Sequence, residues 1–205
     1  MLRITMPGEP QLSRAAFLQA GGKSSRMGEN KAFVDLDGRT LLARALHTLG
    51  EVCDEVVIVG DQLVFSGYGP TISDVFPQCG PLGGIHTALV HTSAELNLML
   101  AVDMPFVSAE LVRLIFQRAA ESMAIVTVPR VSRGFQPLCA VYRRAFAPIA
   151  EKALKAGNYK IDAAFSGIRI CEIADPDLRA AGFSERNFFN VNTPEDRSAA
   201  IDLKP

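Results

Sequence analysis

The sequence predicts an α/β fold in which β-α units surround a mostly parallel sheet. Short runs rich in Val, Ile, Leu and Phe alternate with longer stretches of helical periodicity, and nearly continuous apolar runs suit strands buried on both faces. Glycines and single acids stand at the ends of these runs, where open α/β sheets place their ligands. With 205 residues, 48% of them apolar, the chain can bury one substantial core. The expectation is a flexible extension over residues 1–13 and a single domain over 14–205.

Each element follows from its own pattern. "AAFLQA" ends at the Gly21-Gly22 pair and reads as the first strand. "TLLARALHTLG" puts Leu42, Ala45, Leu46 and Leu49 on one face and closes on Gly50, a helix pattern. "EVVIVG" reads as a buried strand and "TISD" as a shorter one ending in an acid. After "GPLGG" a helix is expected through "IHTALVHT", then "NLMLAVD" as a strand running up to one aspartate. "SAELVRLIFQRAA" opens with Ser108 as N-cap and Glu110 in the first turn, so it reads as a surface helix. "AIVTVP" and "FQPLCAVYRR" each read as one strand. Beyond them come a helix near "AFAPIAEKALKAG", a strand near "IRICEI" and a last helix after "NTPED".

Composition excludes several classes of function. Against 22 acids stand 21 bases, a formal net charge of -1, and no basic run compensates, so nucleic acid is not an expected partner. Cys53, Cys79, Cys139 and Cys171 form no C-x-x-C pair, which argues against a zinc knuckle or redox motif and for reduced thiols. Pro7, Gly8 and Pro10 interrupt the N-terminus where a signal peptide needs an apolar core, and no segment approaches a membrane span. A cytoplasmic protein with no membrane partner is expected.

Two loops can carry chemistry. Gly21 and Gly22 follow a strand, and Lys23, Arg26 and Lys31 follow them. Glycines let backbone N-H groups approach an anion and the cations neutralise it, so this is a candidate phosphate loop; the alternative is a glycine turn with solvated bases. It is not a Walker A loop, which needs a glycine where Phe17 stands, nor a G-x-G-x-x-G dinucleotide fingerprint. In "LMLAVDMPF", Asp103 ends an apolar strand, suited either to a Mg²⁺ ion that keeps several waters or to capping a helix. Asp74, ending "TISD", is a second acid in a comparable place. The amides of "CGPLGGIHTAL" could meet a phosphate or a base edge, or Gly83 and Gly84 could allow close helix packing. His47, His86 and His91 are read as helix-surface or partly buried residues with no catalytic role. "NVNTPED" reads as a strand end, with Thr193 as N-cap and Pro194 at the first helical position.

In this order, "AGGKSSRMGENK", "GPLGGI", "AVDMPF", "FQPLCAVYRR" and "NVNTPED" resemble the signatures of the nucleotidyltransferases that attach a nucleotide to the molybdenum cofactor, the guanylyltransferases above all. The likeness covers nearly everything after the N-terminal extension. It implies a doubly wound, three-layer Rossmann-like nucleotidyltransferase fold. It also implies a reaction in which a phosphate of molybdenum-bound molybdopterin attacks the α-phosphorus of GTP and pyrophosphate leaves. By motif position Gln19, Ala20, Gly21 and Gly22 would line the nucleotide, Lys31 and Arg26 would meet phosphate, Asp74 would contact the nucleotide and Asp103 would hold Mg²⁺. The partners implied are GTP, molybdenum-bound molybdopterin and molybdoenzyme maturation proteins. Arg133, Gln136 and Pro137 are expected beside the second substrate, with Asn190 and Asn192 bordering the same cleft. Three residues depart from the family pattern: Gln19 where leucine is usual, Asn30 where aspartate precedes the lysine, and Val59 where some relatives have asparagine.

Overall fold

The structure, a computed structural model, describes residues 12–21 and 30–203. Along the chain the regular elements are β1 (Arg14–Gln19), α1 (Leu41–Gly50), β2 (Glu55–Val59), α2 (Gln62–Phe65), β3 (Thr71–Ile72), α3 (Gly80–His91), β4 (Leu96–Ala101) and α4 (Ala109–Glu121). There follow β5 (Val126–Val131), β6 (Gly134–Phe135), β7 (Cys139–Tyr142), α5 (Ala147–Lys155), β8 (Ile170–Ile173), α6 (Asp175–Ala180) and α7 (Pro194–Asp202). Gly22 and Arg26, like residues 1–11 of the expected extension, lie outside the described residues.

The sheet runs β3-β2-β1-β4-β7-β5-β6, with β8 also paired to β5. β3, β2, β1 and β4 are parallel, β7 runs antiparallel to both β4 and β5, and β8 is again parallel to β5. Strand alternation builds two cores from one sheet. In β1, Ala16 and Leu18 face the core shared with α1, α4, α6 and α7, whereas Ala15 and Phe17 face the one shared with α3 and α5. This is the expected doubly wound, mostly parallel, three-layer arrangement. Burying a large side chain such as Phe17 or Leu18 stabilises the fold by about 1.5–3 kcal/mol, an upper figure for realistic unfolded chains.

Two helix starts follow the predicted caps, Ser108 and Thr193, and Thr40 caps α1 in the same way. Thr40 accepts from the Ala43 N-H at 3.2 Å, Ser108 from the Leu111 N-H at 3.3 Å, and Thr193 from the Asp196 N-H at 3.1 Å. Among the described residues no helix is long and apolar enough to cross a membrane.

Four local readings are corrected. α3 starts at Gly80 rather than after "GPLGG", because Gly83 and Gly84 are packing positions inside the helix. A Cβ on Gly83 would meet the Phe76 carbonyl at 2.8 Å, and one on Gly84 would overlap the Gln19 carboxamide. "FQPLCAVYRR" is two strands, interrupted where the Cys139 N-H turns back to the Gln136 carbonyl across Pro137, which has no N-H for a ladder. Residues 189–192 form no strand; Val191 instead donates to the Asp103 carbonyl at 2.9 Å. His86 is neither on the surface nor partly exposed but buried, edge-on to Phe76 with ring centroids 5.0 Å apart.

Candidate functional site

A cavity of about 600 Å³ opens at the carboxyl ends of the parallel strands. Gln19, Ala20 and Gly21 enter it from the end of β1, where the amides of Ala20 and Gly21 both donate to the Val59 carbonyl, at 3.0 and 3.2 Å. That contact uses the Val59 backbone, so valine serves there as well as another residue would. Gln19 Nε2 has only a long contact to Met99 Sδ, 3.9 Å. Its carboxamide lies where Gly84 has no side chain, so residues 19 and 84 are a matched pair.

Lys31 begins a short 3₁₀ turn, Lys31–Phe33, that is capped by Asn30: Asn30 Oδ1 accepts from the Ala32 N-H at 3.1 Å. Aspartate would cap in the same way, so the Asn30 departure keeps the turn and drops a charge. Ala32 is fully buried, and Phe33 stacks on Phe65 at 5.8 Å and packs on Tyr68 at 5.4 Å. With its neighbours fixed, Lys31 extends into the cavity.

Asp103 comes from the loop after β4, whose backbone is tied on three sides. Val102 donates to the Gln19 carbonyl at 3.1 Å, Ala101 to the Leu138 carbonyl at 2.8 Å, and Val191 to that of Asp103. Lys31 Nζ stands 3.3 Å from Asp103 Oδ2 and donates a short hydrogen bond to Asn192 Oδ1. Asn192 is itself fixed, its N-H donating to Asp196 Oδ2 at 2.9 Å beside the cap of α7. Among the described residues, the buried Asp103 Oδ1 has no hydrogen-bond partner. Burial pushes the Asp103 carboxyl above the usual range, and Lys31 opposes that shift without cancelling it.

Asp74 also lines the cavity, and among the described residues its buried Oδ1 is likewise unpartnered. Burial raises its pKa too. The entry to α3 lines the same space, with Gln78 and Gly80 at φ of 63° and 66°, the left-handed region that only Gly80 occupies cheaply. Of the residues expected near a second substrate, Asn190 and Asn192 line the cavity and Arg133, Gln136 and Pro137 do not; Leu138, which was not expected there, does. Arg133 Nε instead pairs with Glu185 Oε1 at 2.6 Å on an exposed face.

The pattern of the MobA-like NTP transferase domain matches residues 16–168, which include every lining residue named for this cavity except Asn190 and Asn192. The chain belongs to that family. It is 36% identical over 184 residues to a molybdenum cofactor guanylyltransferase of Desulfosudis oleivorans, covering 88% of this chain and 91% of that protein. To a probable molybdenum cofactor guanylyltransferase of Pelotomaculum thermopropionicum it is 34% identical over 188 residues, 90% of each. In structure it resembles molybdopterin-guanine dinucleotide biosynthesis protein A of Archaeoglobus fulgidus, with a TM-score of 0.82 and 26% identity over 93% of this chain and 97% of that one.

As a MobA-like transferase, the chain brings together what its motifs separate. Lys31, Asp103 and Asn192 come from three motifs, with 72 and 161 positions between Lys31 and its two partners. Sequence reasoning missed that contact, and Asp196 as the brace behind it, because the capping reading of "NTPED" already accounted for those letters.

Proposed function

We propose that this chain transfers GMP from GTP to the terminal phosphate of molybdenum-bound molybdopterin, releasing pyrophosphate and forming the guanine dinucleotide cofactor. The observation that carries the reading is the convergence of Lys31 and Asp103 in one cavity, in a member of a family whose relatives bear that activity in their names. The reading treats residues 14–205 as one transferase domain.

In this reading Gln19, Ala20 and Gly21 line the nucleotide, together with Gly22 from the adjoining stretch. Lys31 and Arg26 meet its phosphates, and Asp74 contacts the nucleotide. The attacking group is itself a phosphate, so no side chain need act as nucleophile or base, and positioning and charge neutralisation are what the protein supplies. Lys31 neutralises charge developing on the leaving pyrophosphate.

The donor set suits Mg²⁺. Among the described residues no three His, Cys, Asp or Glu side chains group closely enough to form a protein cage. Mg²⁺ instead keeps waters and takes one or two carboxylates plus substrate phosphate oxygens, and Asp103 offers a buried oxygen with no other partner. When bound there, the ion would offset triphosphate charge and orient the leaving group.

The test is incubation of the purified protein with GTP, Mg²⁺ and molybdenum-loaded molybdopterin, following pyrophosphate. Release is expected with GTP; turnover with CTP and none with GTP would move the chain to a cytidylyl activity.

A further inference from the structure

Two positive demands meet at Asp103. The carboxylate is desolvated, with Oδ1 unpartnered and Oδ2 3.3 Å from Lys31 Nζ. The same Lys31 is the phosphate-binding cation of the proposed reaction. An ammonium on Oδ2 repels a divalent ion arriving at the free Oδ1, so carboxylate and lysine serve their ligands poorly while they hold each other. Lys31 is also restrained: Asn192 Oδ1 accepts from it, and the Asp196 carboxylate fixes the Asn192 backbone.

We propose that Lys31 is a resident stand-in for the metal: in the nucleotide-free protein it neutralises Asp103 and is parked there by Asn192, and an arriving triphosphate draws it away and opens Asp103 to Mg²⁺. Nucleotide and metal then bind cooperatively. The free protein keeps a buried carboxylate neutralised without holding a metal that lacks substrate. Asn192 is a positioning residue in this scheme, acting through Lys31. The inference rests on Asp103 being the metal-holding carboxylate.

The experiment measures Mn²⁺ affinity of the nucleotide-free protein, from the electron paramagnetic resonance signal of unbound Mn²⁺. Lys31→Met should bind Mn²⁺ about ten-fold or more tightly than the unaltered protein, as expected when a cation 3.3 Å from the metal-holding carboxylate is removed. Lys31→Gln, which keeps an amide for Asn192, should do the same and serves if the methionine variant does not fold. Asn192→Ala should tighten Mn²⁺ binding by less, because Lys31 remains but is no longer restrained. A fall in affinity with Asn192→Ala would make Asn192 a ligand and overturn its parking role. Asp103→Asn should abolish the site in every background. If Asp103→Asn removes Mn²⁺ binding while both Lys31 variants match the unaltered protein, the stand-in is refuted and the metal reading survives. If Asp103→Asn changes nothing, both fall.

Discussion

The cavity is lined by two contrasting groups of residues. Lys31, Asp103 and Asn192 bond to one another and are braced by backbone hydrogen bonds from three distant segments. Gln19, Asp74 and the entry to α3 bring polar groups with few partners, set against backbone at positive φ. Asp74 and Asp103 make the contrast sharpest. Each lies two residues past a strand end and burial raises both pKa values; among the described residues each has a buried Oδ1 without a partner, yet only Asp103 has a cation beside it. The first group holds charges already opposed, as transfer chemistry needs; the second keeps hydrogen-bonding capacity open for a ligand.

The largest effect should come from breaking the first group. Asp103→Ala is expected to lower pyrophosphate release about 10³-fold, the scale of losing one electrostatic stabiliser, with circular dichroism unchanged. Asp103→Asn should lose activity similarly and raise the melting temperature of the metal-free, nucleotide-free protein at neutral pH. There the amide replaces a carboxylate that pays for burial. A lower melting temperature would mean that the Lys31 pair outweighs desolvation.

Next comes the second group, through Gly84→Ala. The added methyl overlaps the Gln19 carboxamide and must push it from its seat. Overpacking of this kind costs about 1–3 kcal/mol, readable in denaturant unfolding. The KM for GTP should rise while kcat changes little, since among the described residues the Gln19 carboxamide shares no hydrogen bond with Lys31 or Asp103. The double variant Gly84→Ala with Gln19→Ala should recover most of the stability. An equal cost in both backgrounds would show that the clash is with α3 itself.

These differences also explain which features were legible in the sequence. Ser108 and Thr193 act on the next turn of their own helices, so residue type and spacing sufficed to read those caps, whereas the equally local Thr40 cap went unread. Asp103 and the Gly21 turn were legible because strand ends are where an α/β sheet opens. The Lys31–Asn192 bond was not, because nothing local in either motif records a contact 161 positions away. Gly83 and Gly84 were ambiguous for the same reason: a phosphate turn and a packing glycine look alike until the Phe76 carbonyl and Gln19 are in place. Pro137 was a local sign of the break in "FQPLCAVYRR", outweighed by β-branched and aromatic neighbours.

The second group can be probed more gently through Asp74. Asp74→Asn removes its charge and keeps its shape, so GTP affinity should weaken by about ten-fold or less, the value of one polar contact. Melting temperature without ligand should rise slightly, since desolvation disfavours the charge of this half-buried carboxylate and no cation among the described residues offsets it. An activity loss as large as that of Asp103→Ala would erase the contrast and give Asp74 a share of the metal.

The smallest effect lies behind α3. His86 is buried against Phe76, its Nδ1 unpartnered, and burial lowers its pKa; Glu151 pulls the other way and Lys155 adds to the lowering. The folded state therefore favours the neutral ring. Above the ordinary value of 6.5 the stability this gives is fully present, and it is lost as pH falls through 6.5 toward the lowered folded value, because the unfolded chain takes up the proton first. Melting curves from pH 7.5 to 5 should show the unaltered protein losing more of its melting temperature than His86→Leu. Because α3 supplies one edge of the cavity, GTP binding should weaken over the same interval in the unaltered protein and not in the variant. Parallel curves for the two proteins would place the acid sensitivity elsewhere, and the second group would then stand without a titratable residue behind it.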